Sequence, residues 1–225
     1  LILMTVSTLG IRDFLPHEVE RRFNSIQLMS DYLKTCSFDR IITPSVEYFD
    51  QIEHALGHDL KQHCIMFMDH YGHRLVLRPD HTAAIARIVS SRLVNELPVK
   101  LYYYDPIFRR VDSFGDSEMF QFGCEHIGRI DISDEANMIN YAIECCRQIG
   151  INDVEIYVSH SDLFKSQSDD YTQALKQGDF STFKEMPKKQ LLSDARDFDY
   201  FSQLSAQIGA NDNVFVHYGL YKDPT

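Results

Sequence analysis

The chain has 225 residues, 44% of them apolar and 24% charged, and carries a formal net charge of −11. That length supports one sizeable hydrophobic core with room for a small second module. The acidic balance argues against a broad nucleic-acid surface, which needs clustered Lys and Arg, and no run approaches the roughly eighteen apolar residues of a membrane-spanning helix.

The opening "LILMTVSTLG" is apolar but has no basic segment before it, so it reads as a strand or ordered arm and not as a signal peptide. In "LPHEVERRFNSIQLMSDYLKTCSF", Pro16 suits a first helical position, and Val19, Phe23, Ile26 and Leu33 follow at helical spacing with Tyr32 beside them. This predicts a long amphipathic helix over 16–36. "DRIITPSVEYFD" reads as a short strand interrupted by Pro44. "CIMFMDHYGHRLVLRP" reads as two strands joined by a turn at Tyr71-Gly72-His73.

A helix is expected over 83–93, then a strand "VKLYYYDPIFRR" that Pro106 breaks or bends. The polar "RVDSFGDSE" leads into another strand, "MFQFGCEHIGR", so the two strands form an antiparallel pair around a loop. "SDEANMINYAIECCRQIG" predicts a helix capped by Ser133 and stopped at Gly150. "INDVEIYVSH" is a strand, 161–208 is mostly helical and reads as a small insertion, and "NVFVHYGL" is a final strand. Strands and helices follow no regular βαβ beat, so the expected class is α+β with a mainly antiparallel sheet. Cys36, Cys64, Cys124, Cys145 and Cys146 form no CxxC pair, which suggests neither a disulfide framework nor a zinc knuckle and fits a reducing, cytoplasmic setting.

Two segments carry residues that packing does not explain. Alternation in "MFQFGCEHIG" puts Phe120, Phe122 and Cys124 on one face, expected as core, and Gln121, Gly123 and Glu125 on the other. A glycine between an amide and a carboxylate lets a small molecule lie close to the backbone, although a solvated strand face reads the same way. In "LRPDHTAA", Asp80 and Thr82 point together if the chain stays extended past Pro79, and such a pair suits an ammonium group. Equally, either residue could cap the helix that follows. Arg109 could clamp a carboxylate or phosphate bidentately, or pair at the surface with Asp112 or Asp116. His58, His63, Cys64, His70 and His73 match no common zinc spacing and are expected as loop and edge residues, with no metal. No Gly-rich phosphate loop and no GxSxG element occur.

The succession "GIRDFLP", "LRPDHTAAIAR", "YYYDPIFRR", "FQFGCEHIG" resembles the histidyl-tRNA synthetase catalytic core. Within that family it looks most like the paralogue that serves as regulatory subunit of ATP phosphoribosyltransferase. The resemblance spans Gly10 to Gly150 and continues more faintly to Leu220. It implies the class II synthetase fold, an antiparallel sheet flanked by helices over 1–225. Its dimer-forming first motif would fall on the long helix and "IITPSVEYFD".

Residue by residue, the resemblance implies that Asp80, Thr82 and Gln121 hold the amino group of histidine, that Glu125 meets the imidazole, and that Arg109 contacts the carboxylate and an ATP phosphate. The departures matter as much. Asp80-His81 stands where a synthetase has Glu-Gly, the loop 110–119 is short and acidic and lacks the further arginine a synthetase uses on ATP, and Tyr218-Gly219-Leu220 lacks the arginine of the synthetase signature. A site without those cations stabilises adenylate formation poorly. The implied protein is therefore a non-catalytic regulator without a cofactor. It would bind histidine and the short-form ATP phosphoribosyltransferase catalytic subunit, as a homodimer within a hetero-oligomer, away from membranes and tRNA. The alternative is a histidyl-tRNA synthetase or a divergent part of one. No segment resembling the third class II motif occurs before Thr225, so a core lacking that C-terminal part is expected.

Overall fold

The computed structural model describes residues 10–110, 117–159, 190–191, 199–208 and 214–216. The chain divides into two compact units between Arg129 and Ile130. The first begins with helix α1 (Pro16–Thr35), whose start is closed by Glu18 accepting from the Leu15 backbone N–H at 2.9 Å. Leu33 is fully buried, but Val19 and Phe23 of the expected stripe stay 50% and 62% exposed. The packed part of α1 is thus its C-terminal end, where Cys36 and Ser37 turn the chain into strand β1 (Asp39–Arg40).

Strand β2 (Val46–Tyr48) follows, so Pro44 separates two strands instead of interrupting one. Helix α2 (Phe49–Ile52), a 3₁₀ turn and helix α3 (His58–Gln62) lead to the hairpin of β3 (Met66–Met68) and β4 (Arg74–Leu77). Its turn is closed by Asp69 Oδ1, which accepts from the backbone N–H groups of Tyr71 and His73 at 2.9 Å each. Gly72 there has φ +86°, a conformation open to glycine at little cost. The sheet order is β2-β4-β3, antiparallel throughout.

Helix α4 (Thr82–Ile88) continues through a wider helical turn to Leu93. It separates two apolar clusters. Ala83 packs with Phe49, Ile52, Leu56 and Val76, whereas Ile85 and Val89 pack with Leu101 and Tyr103. Arg87 on α4 donates to the buried Glu47 of β2 at 2.6 Å, tying the helix to that sheet.

Strands β5 (Val99–Phe108) and β6 (Glu118–Ile127) pair antiparallel over their whole length, with β1 parallel on the other edge of β5. Pro106 neither breaks nor ends β5. The Phe108 N–H points away from β6, to Arg78 O, and alternation turns residue 106 the same way. The missing proline N–H therefore removes no bond from the β5–β6 ladder.

The second unit holds helix α5 (Ile132–Gln148), strands β7 (Ile156–Val158), β8 (Gln190–Leu191) and β9 (Val214–Val216), and helix α6 (Asp199–Ile208). The cap of α5 is Asp131, two residues before the expected Ser133. Its Oδ1 accepts from the N–H groups of Ser133 and Asp134 at 2.8 and 3.1 Å, and a carboxylate there also faces the positive end of the helix. Ala136 and Ile143 pack on Phe201, Leu204 and Val214. β9 pairs parallel with β7 and antiparallel with β8. Within 161–208 the described parts are a strand at 190–191 and a helix at 199–208, so that span is not wholly helical. The rest of the expected insertion, the loop 111–116 and Tyr218 to Leu220 lie outside the described residues. The class is α+β, rich in antiparallel pairing.

Candidate functional site

The site is assembled where the β4–α4 junction crosses the β5–β6 hairpin. Arg78, Pro79 and His81 are buried there, with Arg78 only 1% exposed. The Arg78 guanidinium is a structural tie. Its Nη1 donates to Thr43 O at 2.6 Å, Thr43 Oγ1 at 2.9 Å and Pro44 O at 3.2 Å. On the other side Nη2 reaches Pro106 O at 2.7 Å and Nε the same oxygen at 3.2 Å. One planar cation thus joins the loop before β2, the end of β4 and the C-terminal part of β5.

His81 has no exposed surface; its Nε2 lies 3.2 Å from Asp105 O, and its ring stacks on Tyr103 at 4.2 Å between centroids. Burial, with the Arg78 charge adding to it, pushes the imidazole below its ordinary value. His81 Nδ1 is buried without a hydrogen-bond partner.

Asp80 and Thr82 take different parts. Asp80 Oδ1 accepts from the Ala83 N–H at 3.2 Å, which is a helix-capping contact. Thr82 reaches across to β6, and its Oγ1 donates to Glu125 Oε1 at 2.8 Å. Burial raises the Glu125 carboxyl above its ordinary value and the nearby Asp80 charge adds to that, while hydrogen bonds from Thr82 and Tyr103 hold it down. Glu125 is therefore a partly desolvated carboxylate with a second anion close by. Such a pair favours a cationic or N–H-donating ligand.

The hairpin register puts Leu101 opposite Glu125, Tyr103 opposite Gly123, and Asp105 opposite Gln121, all on one face. Gly123 does not leave its space open as expected. A side chain there would put its Cβ 2.5 Å from the Tyr103 hydroxyl and 2.6 Å from Cζ. The glycine accommodates the tyrosine ring, which lies across it toward Glu125. Gln121 Oε1 and Asp105 Oδ2 are buried without partners farther along the same face. On the opposite face, expected as core, Phe120 is 39% exposed. It stacks on Tyr104 at 5.4 Å, meets Phe14 edge-on, and has Arg22 above its ring at 4.4 Å.

Of the five residues singled out in the sequence, Thr82 and Glu125 are in direct contact and Asp80 is their electrostatic neighbour. Gln121 shares the sheet face of Glu125, four residues earlier on β6. Arg109 follows the far end of β5, and its Nε donates to Pro79 O at 2.9 Å, next to Asp80. No motif marks Tyr103 and Asp105, and parity along β5 finds them only once the register with β6 is known. His81, marked in the sequence only as a departure from the synthetase pattern, joins them from the β4–α4 junction through its stack on Tyr103.

Among the described residues no three His, Cys, Asp or Glu side chains gather as metal ligands. His58 hydrogen-bonds Gln62, His73 meets Asp69, and His70 packs on Tyr71.

A family model described as histidyl-tRNA synthetase matches residues 10–212. The chain is 34% identical over 159 residues to an ATP phosphoribosyltransferase regulatory subunit of Caldanaerobacter subterraneus subsp. tengcongensis, covering 70% of this chain and 41% of that protein. It is 30% identical over 168 residues to a histidine–tRNA ligase of Methanocaldococcus jannaschii, covering 73% and 40% respectively. The chain thus spans about two fifths of the length of these curated relatives. A crystal structure of an ATP phosphoribosyltransferase regulatory subunit/histidyl-tRNA synthetase from Bacillus halodurans C superposes with a TM-score of 0.80. That match covers 97% of this chain and 69% of the other at 22% identity, which shows a shared fold.

Proposed function

The chain belongs to the histidyl-tRNA synthetase family, and from that premise we propose that it binds free histidine and acts as a non-catalytic regulatory subunit. Its partner is the short-form catalytic subunit of ATP phosphoribosyltransferase, which condenses ATP with phosphoribosyl pyrophosphate in the first step of histidine biosynthesis. The observation that carries the binding reading is the 2.8 Å contact between Thr82 and Glu125, with Asp80 beside it. It joins the two segments whose residue types suit an ammonium and an imidazole.

In this reading Asp80, Thr82 and the unpartnered Oε1 of Gln121 receive the ammonium of histidine. Glu125 accepts from the imidazole N–H, and Arg109 meets the carboxylate. Regulation in place of catalysis is supported by the cations the sequence lacks. The loop 110–119 lacks the further arginine that a synthetase uses on ATP, and Tyr218-Gly219-Leu220 carries no arginine. Without such cations the charge of a forming adenylate is left unscreened. Histidine then acts by binding one state of the complex more tightly than another, since a ligand with equal affinities shifts nothing.

The ligase relative at 30% identity favours a second reading, a histidine–tRNA ligase. Calorimetry with histidine on the full natural chain and on Glu125→Ala tests the pocket. Wild type binds, and the variant stays folded but loses the ligand. Unchanged affinity in Glu125→Ala removes the imidazole role. Histidine-dependent exchange of pyrophosphate into ATP by the full natural chain would establish the ligase reading instead.

A further inference from the structure

We propose that Tyr103 is a positioning residue of this site: held by His81 on one side and by Gly123 beneath it, its hydroxyl fixes the Glu125 carboxylate for an N–H-donating ring. The inference deepens the histidine reading above and rests on it for the identity of that ring.

Three observations converge on Tyr103. Its ring is 5% exposed and stacks on the buried His81 at 4.2 Å with planes 27° apart, so it cannot swing outward without breaking that stack. Its hydroxyl and Cζ occupy the space that any side chain at residue 123 would need, so the absence of a Cβ sets how close the ring comes to β6. Its hydroxyl donates to Glu125, beside the Thr82 hydroxyl that donates to the same carboxylate. Glu125 therefore receives two protein hydroxyls, from different elements, and its remaining lone pairs are aimed by them.

The groups facing Glu125 explain why this matters. Asp80, from the β4–α4 junction, is an anion that disfavours ionised Glu125, and burial works in the same direction. Thr82 and Tyr103 are the groups that oppose both. An ionised, fixed carboxylate accepts an N–H from a neutral or protonated imidazole. A protonated one presents its own O–H and competes for the ring nitrogen instead. Tyr103 thus biases the site toward imidazole N–H donation at Glu125. His81 acts one step farther out, through the ring it stacks on.

The test is Tyr103→Phe, which keeps the ring, the stack on His81 and the fit over Gly123, and removes only the hydroxyl. Two readouts separate this inference from the reading it rests on. The first is the titration of the Glu125 side-chain carboxyl by carbon-13 NMR in the ligand-free protein. Its midpoint rises in the variant, and an unmoved midpoint overturns the positioning role. The second is calorimetry with histidine across pH. Loss of a hydrogen bond to a charged group predicts affinity weaker by about 10-fold or more, with the acid limb of the binding profile moved to higher pH. Affinity for histidine equal to wild type at every pH also overturns the role. A wild-type chain that binds no histidine while its Glu125 midpoint still responds to Tyr103→Phe overturns the imidazole assignment and leaves only an organised carboxylate.

Discussion

Replacing Arg78 by methionine keeps most of the volume and apolar stem but removes every hydrogen bond of the guanidinium. The acceptors left behind are the carbonyls of Thr43, Pro44 and Pro106, the first and last of which are held at 2.6 and 2.7 Å. A buried polar group stripped of its partner costs about 1–3 kcal/mol. Part of this is offset because the desolvated guanidinium is removed as well. With the three carbonyls left without this donor, a net loss of about 3–5 kcal/mol follows after that offset. Arg78→Lys falls between, because an ammonium presents its donors from one point and cannot serve both sides of the tie.

The assay is urea unfolding followed by circular dichroism, with the slope compared between variants to confirm that the transition is the same one. Added salt should change the wild-type advantage little, since a cation 1% exposed is poorly screened. A loss below about 1 kcal/mol for Arg78→Met would refute the claim that this arginine ties the three segments together. The site would then be held by apolar packing alone.

Gly123→Ala forces its Cβ against Tyr103, and overpacking of this kind costs about 1–3 kcal/mol. Combining it with Tyr103→Leu should recover part of that loss in a double-mutant cycle, and strict additivity would contradict the contact. Asp131→Ala removes the α5 cap and should cost about 1 kcal/mol by thermal unfolding, whereas Ser133→Gly should leave the cap bond to Asp134 intact. His81 is held below its ordinary value by burial, so the folded protein binds fewer protons there than the unfolded chain. Its contribution to stability is complete above the unfolded imidazole value of about 6.5 and declines as pH falls toward the depressed folded value. His81→Phe should flatten that part of the stability profile, and a profile identical to wild type would show that other groups set it.

Much of the fold can be read from pattern. The spacing of α1, the β3–β4 turn at Gly72 and the alternation of β6 are local periodicities, and each appears close to its expected place. Local pattern failed where a distant partner decides. Pro106 looks like a strand breaker, but its carbonyl serves Arg78 and its absent N–H faces away from β6. Ser133 looks like a cap, but Asp131, two residues earlier, takes that place and brings a charge. Gly123 looks like an opening for a ligand until the opposite strand fills it with Tyr103.

The residues of the β4–α4 junction show the same division. The sequence by itself determined that Asp80, Thr82, Gln121 and Glu125 stand in segments whose polar residues packing does not explain, because residue type and alternation are local properties. It also determined the family, since the order of four short motifs is written along the chain. Only tertiary structure decided which of these side chains meet. The β5–β6 register brings Tyr103 over Gly123, and α4 delivers Thr82 to Glu125 across 43 positions of sequence. It also decided that Arg78, which looks as polar as its neighbours, holds the framework in place. A buried guanidinium is tolerated only where backbone carbonyls converge on it, and that convergence exists only in the folded chain.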